Sequence, residues 1–149
     1  MKKQKTLYIV AAAIGLLFLL RRSGGVPPPS AAWNITSTPG GGLVPIMDPI
    51  NFIVRGTAGM TVSILTRKEG NSNLFGWRKA EGSSSGIIAP DGTFSFTTSL
   101  YEQFGFIYNG DPFVPTGYKY FIAVPYDYIP PSPPENRTNQ LTFYNRTRS

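Results

Sequence analysis

The sequence predicts an all-β fold, an antiparallel β-sandwich, preceded by a single N-terminal transmembrane helix. Three observations predict this class. An uninterrupted apolar run near the N-terminus is closed by basic residues at both ends. Later in the chain, apolar and polar residues alternate with a period of two, as in strands with one buried face. The 16 glycines and 14 prolines indicate frequent turns between these strands.

The apolar run spans residues 7–20 and contains no charged residue. At about 1.5 Å per helical residue it covers roughly 21 Å, against a hydrocarbon core of about 30 Å. Long basic side chains at both ends can reach the headgroups, which compensates for the short run. We therefore predict a membrane anchor in residues 1–22. Its apolar residues are Leu7, Ile9, Val10, Ile14, Leu16, Leu17, Phe18, Leu19 and Leu20, and its basic flank is Lys2, Lys3, Lys5, Arg21 and Arg22.

A cleaved signal peptide is the alternative to this anchor, since a run of this length also fits a signal hydrophobic region. The candidate cleavage residues, Ser30-Ala31-Ala32, lie behind Arg21-Arg22 and three prolines, which favours a retained span. An amphipathic or buried helix fits least, because the run has no polar face. The lysines before the run outnumber the arginines after it by one, which weakly favours a cytoplasmic or particle-interior N-terminus.

The basic charge of the protein is concentrated in the predicted anchor. The net charge is +6, but all eight acidic residues lie beyond residue 22, so the rest of the chain is nearly neutral. We therefore expect no nucleic-acid partner. Cysteine and histidine are both absent. Their absence excludes disulfides, thiolate or imidazole zinc sites and histidine-based catalytic triads.

Residues 23–42 are predicted to be a Gly/Pro-rich linker, and residues 43–149 are predicted to form the head domain. Within the linker, Gly24-Gly25 is a flexible joint, and Pro27-Pro28-Pro29 is a stiff spacer of roughly 3 Å per residue. Trp33 follows the spacer, where it either lies at the membrane interface or packs into the core of the head.

Five segments of the head alternate between apolar and polar residues, and each is typical of a strand with one buried face. They are residues 50–55, 60–66, 93–97, 118–124 and 141–144. Residues 74–80 are a weaker candidate, and no helical periodicity follows residue 25. Pro90-Asp91-Gly92 predicts a hairpin turn, because glycine tolerates the positive φ that such turns need. Residues 56–59 predict a second turn.

Three stretches of the head share the residue order of a known family. They read V-R-G-T-A-G-M-T-V-S-I at residues 54–64, D-G-T-F-S-F at 91–96 and G-Y-K-Y-F-I-A-V at 117–124. Across roughly residues 50 to 125 the chain resembles immunoglobulin-like modules of bacterial and phage surface proteins. The resemblance implies an antiparallel Ig-like β-sandwich in a cell-surface or virion setting. The cysteine pair and the strand-C tryptophan of antibody domains are not reproduced, so no antibody-type property carries over.

A long aromatic segment lies between Leu100 and Tyr118. It either folds over the end of the sandwich or is offered to a partner. Exposed aromatic clusters mark interfaces, so we predict a partner-binding site. Its residues are Tyr101, Phe104, Phe106, Tyr108 and Phe113. The proline-rich residues 129–134 are interpreted as a stiff crossover rather than a docking segment.

The acidic residues Asp48, Asp91, Asp111 and Asp127 are isolated and lack the spacing of calcium loops. Turn capping explains them better. We therefore expect no metal, no cofactor and no enzymatic activity. A small membrane-bound hydrolase that uses distant carboxylates stays open as an alternative of another class.

The expected function is structural. A single-pass membrane protein would tether a lipid membrane to a protein assembly through its head. A minor virion protein that joins the capsid to the internal membrane of a membrane-containing phage fits this design. The alternative is a bacterial envelope-anchored Ig-like adhesion or secretion-complex subunit. The expected partners are therefore a lipid membrane and capsid or envelope proteins, and homo-oligomerisation stays open.

Overall fold

The computed structural model describes residues 33–70, 76–126 and 136–146. The predicted anchor, with every apolar and basic residue named for it, lies outside these ranges, as do the proline-rich residues 129–134. In the described part of the chain, no helix has the length and apolar character that a membrane span requires. The strands are β1 (Asn34–Thr38), β2 (Gly42–Leu43), β3 (Ile50–Arg55), β4 (Thr61–Lys68), β5 (Arg78–Lys79), β6 (Ser85–Ile87), β7 (Thr93–Thr98), β8 (Phe106–Tyr108), β9 (Asp111–Phe113), β10 (Gly117–Val124) and β11 (Leu141–Asn145), and the helix is α1 (Leu100–Phe104).

The strands form two main sheets and one small hairpin. The first sheet has the order β1-β3-β7, and the second has the order β2-β11-β10-β4-β5, with β6 also paired to β4. All pairings in these sheets are antiparallel except the parallel pair of β2 and β11. Strands β8 and β9 form a separate antiparallel pair. The prediction of an all-β fold with antiparallel sheets is confirmed.

The two main sheets share one apolar core, whose centre is Phe52 on β3. Its ring centroid lies 4.7 Å from that of Phe121 on β10 and 5.9 Å from that of Phe143 on β11. Phe96 on β7 is its neighbour within the first sheet, at 6.3 Å. Because Phe52 contacts rings of the opposite sheet, the inner faces of the two sheets pack against each other.

Strand β3 follows the predicted alternation. Ile50, Phe52 and Val54 are fully buried, whereas Asn51 and Arg55 are exposed. This strand has solvent on one side and the shared core on the other, which is the situation that a period of two describes.

Strands β4 and β10 differ from the prediction of one buried face. Phe121 and Ala123 of β10 face the shared core, while Ile122 and Val124 belong to a second apolar cluster with Trp77. The second sheet is therefore covered on both faces along these strands. Alternation alone does not reveal which face is the core when both faces carry apolar residues.

The two predicted turns are present, but they connect different sheets. Gly92 has φ +83°, and Asp91 Oδ1 accepts hydrogen bonds from the backbone N and the Oγ1 of Thr93 at 3.0 and 2.8 Å. Strands β6 and β7, on either side of this turn, pair in different sheets, so the hairpin prediction is corrected to a crossover turn. Residues 56–59 cross from β3 to β4 in the same way, and Gly56 N donates to Gly92 O at 3.0 Å.

Strand β1 lies within residues 23–42, the range that the sequence analysis assigned to the linker. Ile35 is fully buried, and β1 pairs with β3 along its whole length. Trp33 packs against the shared core, and its Nε1 donates to Asn136 O at 2.8 Å. Of the two alternatives for Trp33, the structure therefore shows core packing.

The strand register places two features at opposite ends of the first sheet. Asn34 pairs with Arg55, so the described chain begins at the end where β3 finishes, here called the entry end. Ile50 pairs with Thr98 at the other end, here called the far end. The chain leaves β7 at the far end and continues into α1 and the hairpin of β8 and β9.

Candidate functional site

The aromatic segment predicted as a loop contains a helix and a hairpin. No helical periodicity follows residue 25 in the sequence, so no helix was expected there. The structure corrects this expectation, because α1 is a helix of five residues. Ser99 is its N-cap, and its Oγ accepts from the backbone N of Glu102 at 3.1 Å. Thr98 Oγ1 donates to the Glu102 carboxylate at 2.9 Å, and Gly105 N donates to Tyr101 O at 2.8 Å. Capping at both ends allows so short a helix to form.

Gln103 fixes α1 to the second sheet. This side chain is buried, and its Oε1 accepts from Glu81 N at 2.7 Å. Its Nε2 donates to Glu81 O at 3.0 Å and to Thr98 Oγ1 at 2.8 Å. Both side-chain donors and the acceptor are therefore satisfied, and the helix is held against the segment that follows β5.

A tight turn at Asn109-Gly110 joins β8 to β9. Asn109 has φ +49° and Gly110 has φ +84°, so both central residues lie in the left-handed region. This is the conformation of a two-residue type I′ hairpin, for which Asn-Gly is a preferred sequence. Phe106 pairs with Phe113, and the strand directions reverse at the turn.

The hairpin exposes a large apolar area. Phe106, Ile107 and Tyr108 are 47%, 59% and 58% exposed, although consecutive residues of a strand lie on opposite faces. The Phe113 ring lies 5.2 Å from that of Phe106 and 5.8 Å from that of Tyr108. The hairpin therefore projects into solvent on both of its faces.

Met47 extends this apolar area. It is 55% exposed and lines an open groove of about 360 Å³ together with Ile46, Tyr108 and Phe113. Tyr101 N donates to Ile46 O at 2.9 Å, which holds this groove wall beside α1. The apolar tip is defined as Met47, Phe106, Ile107, Tyr108 and Phe113.

The five aromatic residues predicted for partner binding fall into two groups. Tyr101 and Phe104 pack against the shared core, whereas Phe106, Tyr108 and Phe113 belong to the apolar tip. Met47 and Ile107 were not predicted, because the aromatic content of the segment points to aromatic residues alone.

A buried lysine stabilises the base of the hairpin. Lys119 Nζ donates to Pro115 O, to Gly117 O at 3.1 Å and to Asn145 Oδ1 at 2.6 Å. Asn145 Nδ2 donates in turn to Val114 O at 3.0 Å, which fixes the backbone immediately after β9. Burial lowers the pKa of Lys119 to about 8, and the nearby Glu69 carboxylate acts in the opposite direction.

The acidic residues of the described chain form no metal-binding group. No cluster of three or more potential ligands occurs among residues 33–70, 76–126 and 136–146. Asp91 caps its own turn, and the hydrogen bonds from Thr93 lower the pKa of the Asp91 carboxyl. Asp127 lies outside the described residues.

Comparison with known proteins gives little similarity. No protein-family model and no curated protein matches the chain. Among solved structures, the chain is similar to a β-glucosidase from Erythrobacter marinus, with 18% sequence identity and a TM-score of 0.45. The similarity covers 74% of this chain and 15% of that protein, so the chain corresponds to a small part of its length.

This comparison corrects one expectation. The sequence predicts no enzymatic activity, whereas the similar solved structure is that of an enzyme. The prediction is therefore withdrawn. At this identity and TM-score the similarity carries no argument for a glycosidase activity, and no activity is transferred to this chain.

Proposed function

We propose that the protein is a membrane-anchored structural protein that tethers a lipid membrane to a protein assembly. In this proposal residues 1–22 span the membrane, and the head is an immunoglobulin-like β-sandwich that binds a partner protein through the apolar tip. The observation that carries the proposal is the position of the apolar tip at the far end of the head, away from the entry end.

The distance between the two ends suits a tether. Strand β4 has eight residues, which corresponds to roughly 26 Å at about 3.3 Å per residue. A partner that binds at the far end is therefore separated from the point where the chain enters the head. The two attachments, to membrane and to protein, do not compete for the same surface.

The chemistry of the apolar tip suits a protein partner. Asp111 is the charged residue of the hairpin, so few charges lose water when the hairpin is covered. Tyrosine, phenylalanine and methionine are enriched at protein interfaces. The Asn109-Gly110 turn and the contacts of Lys119 order the hairpin, which lowers the entropy that binding costs.

For the biological setting, we propose the internal membrane of a phage, where the partner is a capsid protein. The predicted anchor with its basic flanks, the predicted proline spacer and the resemblance to immunoglobulin-like modules of bacterial and phage surface proteins support this choice. The same features are compatible with a bacterial envelope complex, which is the alternative. The nature of the captured partner separates the two settings.

Photo-cross-linking in the native membrane tests the proposal. A photoreactive amino acid replaces Ile107 at the apolar tip in the full-length protein. The matched control replaces Ile87 on β6, which is 66% exposed and pairs with Thr61 towards the entry end. We expect a distinct cross-linked protein from position 107 and none from position 87.

A capsid or shell protein at position 107 supports the virion setting, and an envelope component supports the alternative. No product from position 107, or the same products from both positions, would contradict the tether. Ile107→Asp supplies a second test. We expect it to reduce co-purification of the partner at least about tenfold, because a carboxylate is then desolvated in the interface. The fold is not expected to change, since Ile107 is exposed.

A further inference from the structure

The first sheet has two edge strands, β1 and β7, because its order is β1-β3-β7. An edge strand carries backbone N–H and C=O groups that can pair with a further strand. We propose that β7 pairs with the β7 of a second copy of this chain, so that the first sheets of the two copies join into one. The proposal does not rest on the tether function, because no residue of β7 belongs to the apolar tip.

The hydrogen bonds of β7 show which of its backbone groups face away from β3. Gly56 N donates to Gly92 O at 3.0 Å, one position beyond the last registered pair of β3 and β7. Hydrogen-bonded and non-hydrogen-bonded pairs alternate along an antiparallel ladder, so the even-numbered residues of β7 bond to β3. The odd-numbered residues Thr93, Ser95 and Thr97 therefore direct their N–H and C=O groups away from β3.

The turn before β7 already occupies the first of these residues. Thr93 O accepts from Ala89 N, and Thr93 N donates to Asp91 Oδ1, both at 3.0 Å. Ser95 and Thr97 are exposed, and no other described residue forms a hydrogen bond with their outward backbone groups. The open part of this edge therefore consists of Ser95 and Thr97, in the half of β7 nearer the far end.

The other edge of the first sheet is closed at Ile35 on β1. Ile35 N donates to Asn139 Oδ1 at 3.0 Å, and Asn139 Nδ2 donates to Ile35 O at 2.9 Å. One side-chain amide thus satisfies both backbone groups that a neighbouring strand would bind. Covering an edge in this way hinders pairing with another chain, and among the described residues β7 has no equivalent cover. A second copy is therefore expected at β7 rather than at β1.

Two copies of β7 fit each other in one antiparallel register. With Phe96 opposite Phe96 of the second copy, Ser95 faces Thr97 of the second copy on both sides of the two-fold axis. Every outward N–H of these residues then meets an outward C=O. With Ser95 opposite itself, Thr97 would instead face Thr93, whose groups are already bonded. The edge therefore favours the register centred on Phe96.

The side chains of β7 also suit a second copy. The strand reads T-F-S-F-T-T and contains no charged residue and no proline, so two identical strands meet without repulsion. On the outer face, the hydroxyl groups of Ser95 and Thr97 lie opposite each other across the pair, where hydrogen bonds form between such residues. Thr97 Oγ1 donates to Asn51 Oδ1 at 2.7 Å, which leaves it free to accept from Ser95.

Antiparallel pairing places the entry end of one copy beside the far end of the other. The predicted linker before Trp33, residues 23–32, can extend to at most roughly 33 Å at about 3.3 Å per residue. This reach exceeds the roughly 26 Å that β4 spans at the same rise per residue. Both predicted anchors can therefore lie in one membrane, and the pairing is compatible with the tether.

Cysteine pairs test the register, because the chain contains no cysteine of its own. Full-length Ser95→Cys and Thr97→Cys, each with a different affinity tag, are produced together and oxidised in mild detergent. Hydrogen-bonded antiparallel pairs have Cα atoms about 5.5 Å apart, which lies within the range of a disulfide. We expect a mixed disulfide dimer. The control pair, Thr36→Cys with Thr38→Cys, has the same spacing on the exposed face of β1, and no mixed dimer is expected.

Proline variants test the backbone pairing. Ser95→Pro removes an outward N–H and leaves the hydrogen bonds to β3 intact, which is the situation in which an edge strand tolerates proline. We expect dimer association, measured by sedimentation equilibrium of the full-length protein in detergent, to weaken at least about tenfold. Ser37→Pro removes the same group from β1, since Ser37 lies two residues from Ile35 and faces the same edge. It is expected to leave the association unchanged, and circular dichroism monitors the fold of both variants.

A mixed dimer from the β7 pair alone, together with weakening by Ser95→Pro alone, supports the proposal. It would be overturned by the absence of a mixed dimer, by equal yields from the β7 and β1 pairs, or by equal weakening in both proline variants. If Ser95→Pro fails to fold, the cysteine pairs decide the result. Cross-linking at position 107 reports on the apolar tip, so failure of the β7 pairing is distinguishable from failure of the tether.

Discussion

Lys119 is an unusual core residue, because lysine is seldom fully buried without a carboxylate partner. Here three neutral oxygens surround the ammonium, from Pro115, Gly117 and Asn145. These bonds join the start of β10 to the end of β11 and to the segment that supports the hairpin. A buried cation therefore positions the backbone on which the apolar tip rests.

This burial predicts a pH-dependent stability. The pKa of Lys119 is about 8 in the folded protein, against an ordinary value of 10.5. Between pH 8 and pH 10.5 the unfolded chain binds more protons than the folded protein does. The free energy of unfolding therefore rises with pH in this range, by up to about 1.4 kcal/mol per pH unit. Below pH 8 both states are protonated, and the contribution of Lys119 is constant.

Urea unfolding of the wild type and of Lys119→Met measures this contribution. Other lysines and the tyrosines titrate in both proteins, so the difference between the two isolates Lys119. We expect the stability of the wild type to increase relative to that of the variant between about pH 8 and about pH 10. Parallel pH profiles would contradict the lowered pKa.

At the scale of the element, α1 depends on its caps. A helix of five residues has too few internal hydrogen bonds to be stable alone. Ser99→Ala removes the acceptor for Glu102 N, and we expect a loss of about 1 kcal/mol in the free energy of unfolding. Ser95→Ala on β7 is the control, because Ser95 is exposed, and a change within about 0.5 kcal/mol is expected. Equal effects would show that the cap contributes nothing specific.

The elements also show what the sequence can and cannot predict. Strand β3 was predictable, because its outer face is in water and Ile50, Phe52 and Val54 alternate cleanly. The burial of both faces of β10 was not predictable from the sequence. Phe121 and Ile122 are both apolar, and the sequence does not show which elements pack against each face of the strand. The helix α1 is shorter than two turns, so it leaves no periodicity.

Two local signals in the same segment were nevertheless present. Ser99 followed three residues later by Glu102 has the spacing of a capping box, and Asn109-Gly110 between apolar residues is a strong hairpin signal. They predict a helix start and a hairpin where the aromatic content alone suggested one long loop.

At the scale of the whole molecule, the shared core holds the two sheets together through a few aromatic rings. Phe52 contacts Phe96, Phe121 and Phe143, and it is fully buried. We expect Phe52→Ala to lower the free energy of unfolding by about 3–5 kcal/mol. Removal of the ring leaves a cavity between the two sheets, and the surrounding structure relaxes too little to fill it. Denaturant unfolding measures the change.

The matched control for this core substitution is Ile87→Ala. Ile87 is a large apolar residue that is 66% exposed, so its truncation removes little buried area. We expect a change within about 0.5 kcal/mol. A loss of similar size at both positions would mean that Phe52 does not hold the sheets together.

The opposite placement of the entry end and the apolar tip also determines how the head would respond to mechanical tension. A force that pulls Trp33 away from the hairpin acts along the strand axes. Strand β1 would then slide past β3, and their five paired positions, Asn34 to Thr38, would share the load at once. Pulling perpendicular to the strands would open these pairs one after another. The topology thus orients the strongest resistance of the head along the line that joins the entry end to the apolar tip.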